Sequence, residues 1–224
     1  MAAPRIALVH AVTVAVDPIR DAFTQLWPQA AVVNILDDSL SPDRARDADL
    51  TPEMSARIGA LGDYALSTGC SGVLYTCSAF GEAIEAFAKR APVPVLKPNE
   101  AMFEAALSIG ARMGMLATFG PSVAGMEAEF LDQARALRRQ ASIKTVLVET
   151  AMTALKSGDA DAHNRLLAEA VPQLGEVDVV MLAHFSTSRA FAAVSEKTTS
   201  PVLTSPRSAV EAMRRMCAAR EVGR

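Results

Sequence analysis

Cysteine is scarce in this sequence: Cys70, Cys77 and Cys217 are the only three in 224 residues, an odd number with no C-x-x-C pair. That argues against a disulfide framework and a zinc site, and it fits a reducing cytosol. Basic residues are not in excess. The formal charge of -3 and a pI near 5.7 provide no general attraction to phosphate backbones or anionic lipid. Long apolar runs are missing as well, since none approaches the roughly 20 residues of a membrane helix. The first run, residues 6–16, has Arg5 as its only upstream basic side chain and is interrupted by His10. It reads as a first strand rather than the hydrophobic segment of a secretory signal. Phosphate loops are also absent: Gly69-Cys70-Ser71-Gly72 is too short and misplaced for a dinucleotide fingerprint, and Gly-Lys-Ser or Gly-Lys-Thr occurs nowhere. Neither nucleic acid nor membrane is therefore an expected partner, and no cofactor is called for.

What is present is core. With 50% hydrophobic and 21% charged residues, the chain can fill one large domain or two small ones. Mostly unbroken apolar runs at residues 5–12, 31–36, 72–76, 93–96, 112–118, 143–148, 177–183 and 202–203 alternate with helical stretches. That alternation predicts an α/β fold with parallel strands covered on both faces. Asp17-Pro18 is expected to cap a helix ending near Trp27, Thr51-Pro52 one closed by Gly69, and Asn99 one stopped by Gly110. Helices are also expected from Cys77 to about residue 90, from Pro121, from Ser188 and from Pro206, with a long one ending near Leu174 and broken around Gly158. The acidic stretch 37–50 reads as a solvated connection, with a mobile lid as the alternative.

A repeat runs through this pattern. A shift of 107 positions places Arg5 on Arg112, Pro94-Val95-Leu96 on Pro201-Val202-Leu203, and Glu104-Ala105 on Glu211-Ala212. The same shift places Cys77 on His184, each closing an apolar run: Gly72-Val73-Leu74-Tyr75-Thr76-Cys77 and Val179-Val180-Met181-Leu182-Ala183-His184. The strand-two regions need a different offset.

Ligands of parallel α/β sheets sit beyond the carboxyl ends of the strands, so four strand ends hold the candidate residues. They are His10 to Thr13, Cys77 to Phe80 including Ser78 and Ala79, Thr118 to Ser122, and His184 to Ser188 including Phe185 and Ser186. Serine and threonine hydroxyls and turn amides there suit a carboxylate. A thiol at a helix N-terminus is expected to ionise below its usual value of about 8.5, which singles out Cys77. His184 can exchange protons near neutrality. Cys70 and Cys217 read as small core residues, His163 as solvated, and Met113, Met115, Met213 and Met216 as packing.

At these residues the chain resembles the aspartate/glutamate racemase superfamily, which includes glutamate, aspartate and hydantoin racemases, maleate isomerase and arylmalonate decarboxylase. The resemblance rests on the cysteine-small-small turn after strand three, the turn Ala117-Thr118-Phe119-Gly120, and the second strand-end position at 184. It implies two similar α/β lobes, residues 1–97 with 206–224 and residues 98–205, facing each other across the active site. It further implies cofactor-independent isomerase chemistry in which two cysteines exchange an α-proton of a small carboxylate substrate. Carried over, Cys77 matches the first catalytic cysteine, Ser78 and the following amides a carboxylate-binding turn, and Thr118 with Ser122 a second one. The second cysteine is replaced by His184, which is expected to take its acid/base role. The decarboxylases use a single cysteine, but theirs is the second, and the tyrosine they place after Ala-Thr is Phe119 here. The expected function is a racemase, epimerase or isomerase of the superfamily. The alternatives are a one-base arylmalonate-type decarboxylase or lyase, and a silent small-acid-binding protein. A homo-oligomer is compatible with all three.

Overall fold

Apolar runs without polar alternates are stable as strands only when both faces are covered, and these fold that way. The structure, a computed structural model, describes residues 3–47 and 49–222. β1 (Arg5–His10), β2 (Ala31–Leu36), β3 (Gly72–Tyr75) and β4 (Val95–Leu96) form one sheet in the order β2-β1-β3-β4. β5 (Arg112–Ala117), β6 (Ser142–Leu147), β7 (Val179–Leu182) and β8 (Val202–Thr204) form the second, in the order β6-β5-β7-β8. Every strand pair is parallel. The inner strands β3 and β7 are buried at every position, while the edge strands β2 and β6 keep exposed residues. The expected α/β class therefore holds.

The repeat is visible in the hydrogen-bond register. Ile6 pairs with Gly72 as Met113 pairs with Val179, and Val73 pairs with Val95 as Val180 pairs with Val202, all displaced by 107 residues. Only the β1–β2 and β5–β6 pairings break the count, Arg5 with Ala31 against Arg112 with Ser142. The βα turns still match at 107, and the difference lies beyond them, in the longer helix α6 (14 residues against 11 in α1) and the αβ loop that follows it.

Helices cover both faces: α1 (Val16–Leu26), α2 (Leu40–Arg44), α3 (Pro52–Ser67), α4 (Gly81–Ala88), α5 (Glu100–Ile109), α6 (Val123–Ala136), α7 (Glu149–Lys156), α8 (Ala160–Ala170), α9 (Phe191–Ser195) and α10 (Ser205–Val222). α3 starts as expected: Pro52 opens it, the Thr51 hydroxyl accepts from the Met54 amide at 3.2 Å, and Gly69 follows its end at φ +70°. Two expected caps are not caps. A 3-10 turn at Thr13–Ala15 leads into α1, so Asp17 lies inside the helix and pairs with Arg20 at 2.8 Å. Asn99 precedes α5 but turns its side chain inward, accepting from the Ser205 hydroxyl at 2.6 Å. The break near Gly158 separates α7 from α8, which Asp159 caps through the Ala162 amide at 2.8 Å.

The acidic stretch is the largest departure. It contains α2, with Leu40, Ser41 and Arg44 buried, and Arg57 of α3 holds both Asp37 and Asp43 at 2.7 Å. Paired at Asp37 and Asp43 and anchored by Leu40, its described residues form an ordered connection that stays largely exposed, with Asp38, Asp47 and Asp49 in solvent, rather than a free lid.

The two sheets are joined by packing as well as by chain. α10 packs with α1 against the first sheet, where Val210 and Met213 share a core with Ile6, Ile19 and Leu74. Phe185, which follows β7 in the second half, is inserted in that same core. Lys97 and Glu129 meet at 3.2 Å, and the Asn99–Ser205 bond joins the two connections that pass between the sheets. Within the first half, α3 lies so close to β3 that a Cβ on Gly62 would stand 2.5 Å from the ring of Phe87 and from the Tyr75 hydroxyl. That hydroxyl donates to the Ile58 carbonyl at 2.9 Å. Gly62→Ala should therefore cost about 1–3 kcal/mol of overpacking, outweighing the helix preference for alanine. A lower urea midpoint at unchanged slope is the expected result, and an equal or higher midpoint would contradict the close contact.

Candidate active site

All four inner strand ends leave their sheets in a similar way, an extended residue or two followed by 3-10 helix: single turns at Thr13–Ala15, Ser78–Phe80 and Gly120–Ser122, and a six-residue stretch at Phe185–Ala190. Cys77 (φ -116°, ψ 123°) and His184 (φ -113°, ψ 151°) occupy matched positions in that arrangement. The two ends face each other. The hydroxyl of Ser78, next to Cys77, lies 3.2 Å from Nδ1 of His184. A site residue of one half is thus in hydrogen-bond contact with its repeat partner's neighbour in the other.

Electrostatically the pair is held uncharged. Cys77 keeps part of its surface, but the lobes strip water from its sulfur, and burial pushes the thiol up to about 11. The Ala79 amide and the Arg44 guanidinium pull the other way without prevailing. The expectation of a lowered thiol is therefore corrected: whatever the helix N-terminus contributes loses to burial against the core of the first half, which Phe119 of the second half joins. Burial lowers His184 to about 4. Its Nε2 is buried with no hydrogen-bond partner, while its backbone is fixed by Thr187, whose hydroxyl accepts from the His184 amide at 3.1 Å and donates to its carbonyl at 2.6 Å.

The other candidates divide. Thr118 is buried with its hydroxyl unpartnered, as is Thr204 at the end of β8. Ser122 donates to the Phe119 carbonyl at 2.8 Å, within its own turn. Ala79 is buried and gives its carbonyl to Arg44 Nε at 3.4 Å. Ser186 is buried in the His184 turn, and Thr13 is exposed at the start of the first 3-10 turn. Two residues are spent on structure. His10 bonds Thr76 through Nδ1 at 2.9 Å and Asn34 through Nε2 at 3.0 Å, so no ring nitrogen is left for a ligand, and Phe185 is packed into the core of the first half. His163 is not solvated: it is fully buried on α8, with Nδ1 at 2.8 Å from Asn164 Oδ1. Among the described residues no cluster of His, Cys, Asp or Glu could hold a metal ion, and no helix is long and apolar enough to cross a membrane.

A family model for Asp/Glu/hydantoin racemases matches residues 13–182, most of the chain. The chain belongs to that family. No curated protein matches it by sequence. Among solved structures it is similar to a glutamate racemase isoform of Bacillus anthracis, with a TM-score of 0.81 at 11% identity over 98% of this chain and 84% of that one. It is also similar to the aspartate racemase of Picrophilus torridus, with a TM-score of 0.74 at 14% identity over 96% and 94% of the two chains. A glycine-to-cysteine mutant of arylmalonate decarboxylase gives a TM-score of 0.67 at 15% identity over 96% and 94%. At such identities these likenesses establish the two-sheet racemase fold.

Two buried polar residues at or near these strand ends are not singled out by the sequence: Thr204, at the end of β8 beside β7, and Arg44, which reaches the turns after β3 and β5. Thr204 has no sequence signal beyond its strand end. Arg44 has a faint one, because Leu40 sits one helical turn before it in an otherwise polar stretch and shares its buried face.

The buried histidines set a pH dependence of stability. Burial lowers His10, His163 and His184, the last to about 4, whereas an unfolded histidine titrates near 6.5. Between those values the unfolded chain binds more protons than the folded one, so stability falls as pH drops through that window. Carboxylates held low, such as Asp178, kept at about 2 by the Ala111 and Arg112 amides and then by the Arg112 side chain, add their loss only at lower pH. Thermal melts should give a lower Tm near pH 5 than near pH 7, with part of the difference removed in His184→Gln. A Tm constant across that range would contradict the burial of these rings.

Proposed function

We propose that the protein is a cofactor-independent racemase, epimerase or isomerase that moves the α-proton of a small carboxylate-bearing carbon acid between Cys77 and His184. The observation that carries this reading is the contact across the lobes: repeat-related strand ends bring a thiol's turn and an imidazole together, and burial favours the uncharged form of both groups. Substrate lies between them. His184 takes the α-proton from one face through the unprotonated nitrogen of its neutral ring, and the Cys77 thiol gives its own proton to the other. The enolate that forms in between gains from fixed donors: the unpartnered Thr118 hydroxyl, the Ser78 hydroxyl and the amides of the strand-end turns. The forward reaction converts thiol and imidazole into thiolate and imidazolium, and the reverse reaction starts from that ion pair.

The test is deuterium exchange. Single enantiomers of candidate 2-substituted acids incubated in deuterated water should take up label at the α-carbon and lose optical purity together. A panel with no exchange by the wild-type protein, but with tight binding of one acid, would replace this reading with that of a silent binding protein.

One observation favours a second reading, a one-base decarboxylase or lyase. A thiol held neutral in a desolvated site is a proton donor suited to a carbanion left by loss of carbon dioxide. Carbon dioxide release from a disubstituted malonate, retained in His184→Ala, would select it.

A further inference from the structure

The acidic stretch between β2 and α3 carries, at the end of α2, a buried cation placed at the meeting point of the two halves. Arg44, 7% exposed on α2, donates through Nη1 to the Asp47 carbonyl of its own segment at 2.6 Å. Its Nε reaches the Ala79 carbonyl, in the turn that follows Cys77, at 3.4 Å. Its Nη2 reaches the Pro121 carbonyl, in the turn after β5 on the other sheet, also at 3.4 Å. One planar fork therefore spans three carbonyls on three segments, a task that its fixed donor geometry suits and a lysine's does not. The placement is built rather than incidental: Leu40 seats α2 in the core, and Arg57 locks the same segment through Asp37 and Asp43.

We propose that Arg44 is a positioning residue for Cys77: it ties the turn carrying the thiol to the facing turn after β5 and supplies positive charge beside the sulfur. This role rests on the reading of Cys77 as the reacting group. Burial is the larger influence on the thiol, and Arg44 opposes it. The other groups facing the turn do not supply a counter-charge. His184 is neutral beyond Ser78, and Glu129, which approaches Gly81, is paired with Lys97. Without Arg44, then, thiolate at Cys77 has burial to overcome and no cation to help it. The ion-pair state from which the reverse reaction starts should be the one most affected.

Alkylation tests this without any substrate. Iodoacetamide treatment near pH 8 followed by peptide mapping reads Cys77 separately from Cys70 and Cys217. Because thiolate is the reacting species, Arg44→Met should slow alkylation of Cys77 by about tenfold for each unit by which ionisation becomes harder, while Cys70 and Cys217 keep their rates. Arg44→Lys, which keeps the charge but not the fork, should stay closer to wild type. A purely structural role predicts the opposite sign, since a loosened turn exposes the thiol and speeds its reaction. An unchanged or faster Cys77 rate in folded Arg44→Met overturns the proposal; Arg44→Gln serves as the neutral variant if the methionine one does not fold. A wild-type protein that exchanges no α-proton but shows this alkylation pattern overturns the racemase reading and leaves the Arg44 assignment standing.

Discussion

Cys77→Ala is expected to lower α-deuterium exchange and racemisation together, by about 10²–10⁴-fold, the range in which a positioned acid or base contributes. The loss should appear in kcat with little change in KM, because the thiol meets the reacting carbon while the carboxylate is held by hydroxyls and turn amides. The pH profile of the wild-type protein sharpens this expectation. With Cys77 near 11 and His184 near 4, the thiol–imidazole state dominates the free protein between those values. The thiolate–imidazolium pair carries the same total number of protons, so its share does not change with pH inside that window. Activity toward either enantiomer should therefore be flat from about pH 6 to 9 and fall outside the two limits. A profile that climbs through neutrality would mean that a free thiolate, formed by losing a proton to solvent, is the active species. Undiminished exchange in Cys77→Ala would remove the thiol from the reaction altogether.

The fold is legible in the sequence because its signals are local. Unbroken apolar runs mark β1, β3, β5 and β7, and the 107-residue repeat anticipates the pairing of Ile6 with Gly72 and of Met113 with Val179. The opposition of Cys77's turn to His184 follows from that repeat once the halves face each other. What is not legible is set by distant chain. Arg44 lies in a stretch of acids and a proline that reads as solvated, and only Arg57, reaching across from α3, shows why it is ordered. His163 sits among polar neighbours on α8, yet it falls on the one face of that helix turned to the core. The direction of the Cys77 shift is another case. A helix N-terminus can be read from sequence, whereas the burial that overrides it comes from tertiary packing against residues such as Val9, Leu40 and Phe119, distant in the chain. His10 reads as a strand-end residue and closes β1, but its engagement by Asn34 depends on the β1–β2 register, in which Leu8 pairs with Asn34.

His184→Asn separates two-sided from one-sided chemistry, and its expected effect is as large as that of Cys77→Ala. Asparagine can keep a side-chain contact with the Ser78 hydroxyl at the Nδ1 position while removing Nε2, the atom left buried without a partner. Racemisation should fall by about 10²–10⁴-fold, since one face of the substrate loses its proton carrier. Exchange on the Cys77 face should survive in a weaker form, so that one enantiomer gains deuterium with retained configuration and the other gains none. The pH dependence should change as well. Cys77 alone can remove a proton only as thiolate, and with its pKa near 11 that form grows about tenfold per pH unit through neutrality, turning a flat profile into a rising one. Racemisation that persists in His184→Asn, with label entering from both faces, would make the histidine structural. Carbon dioxide release in its place, at wild-type rate from a disubstituted malonate, would assign Cys77 the single proton delivery of a decarboxylase.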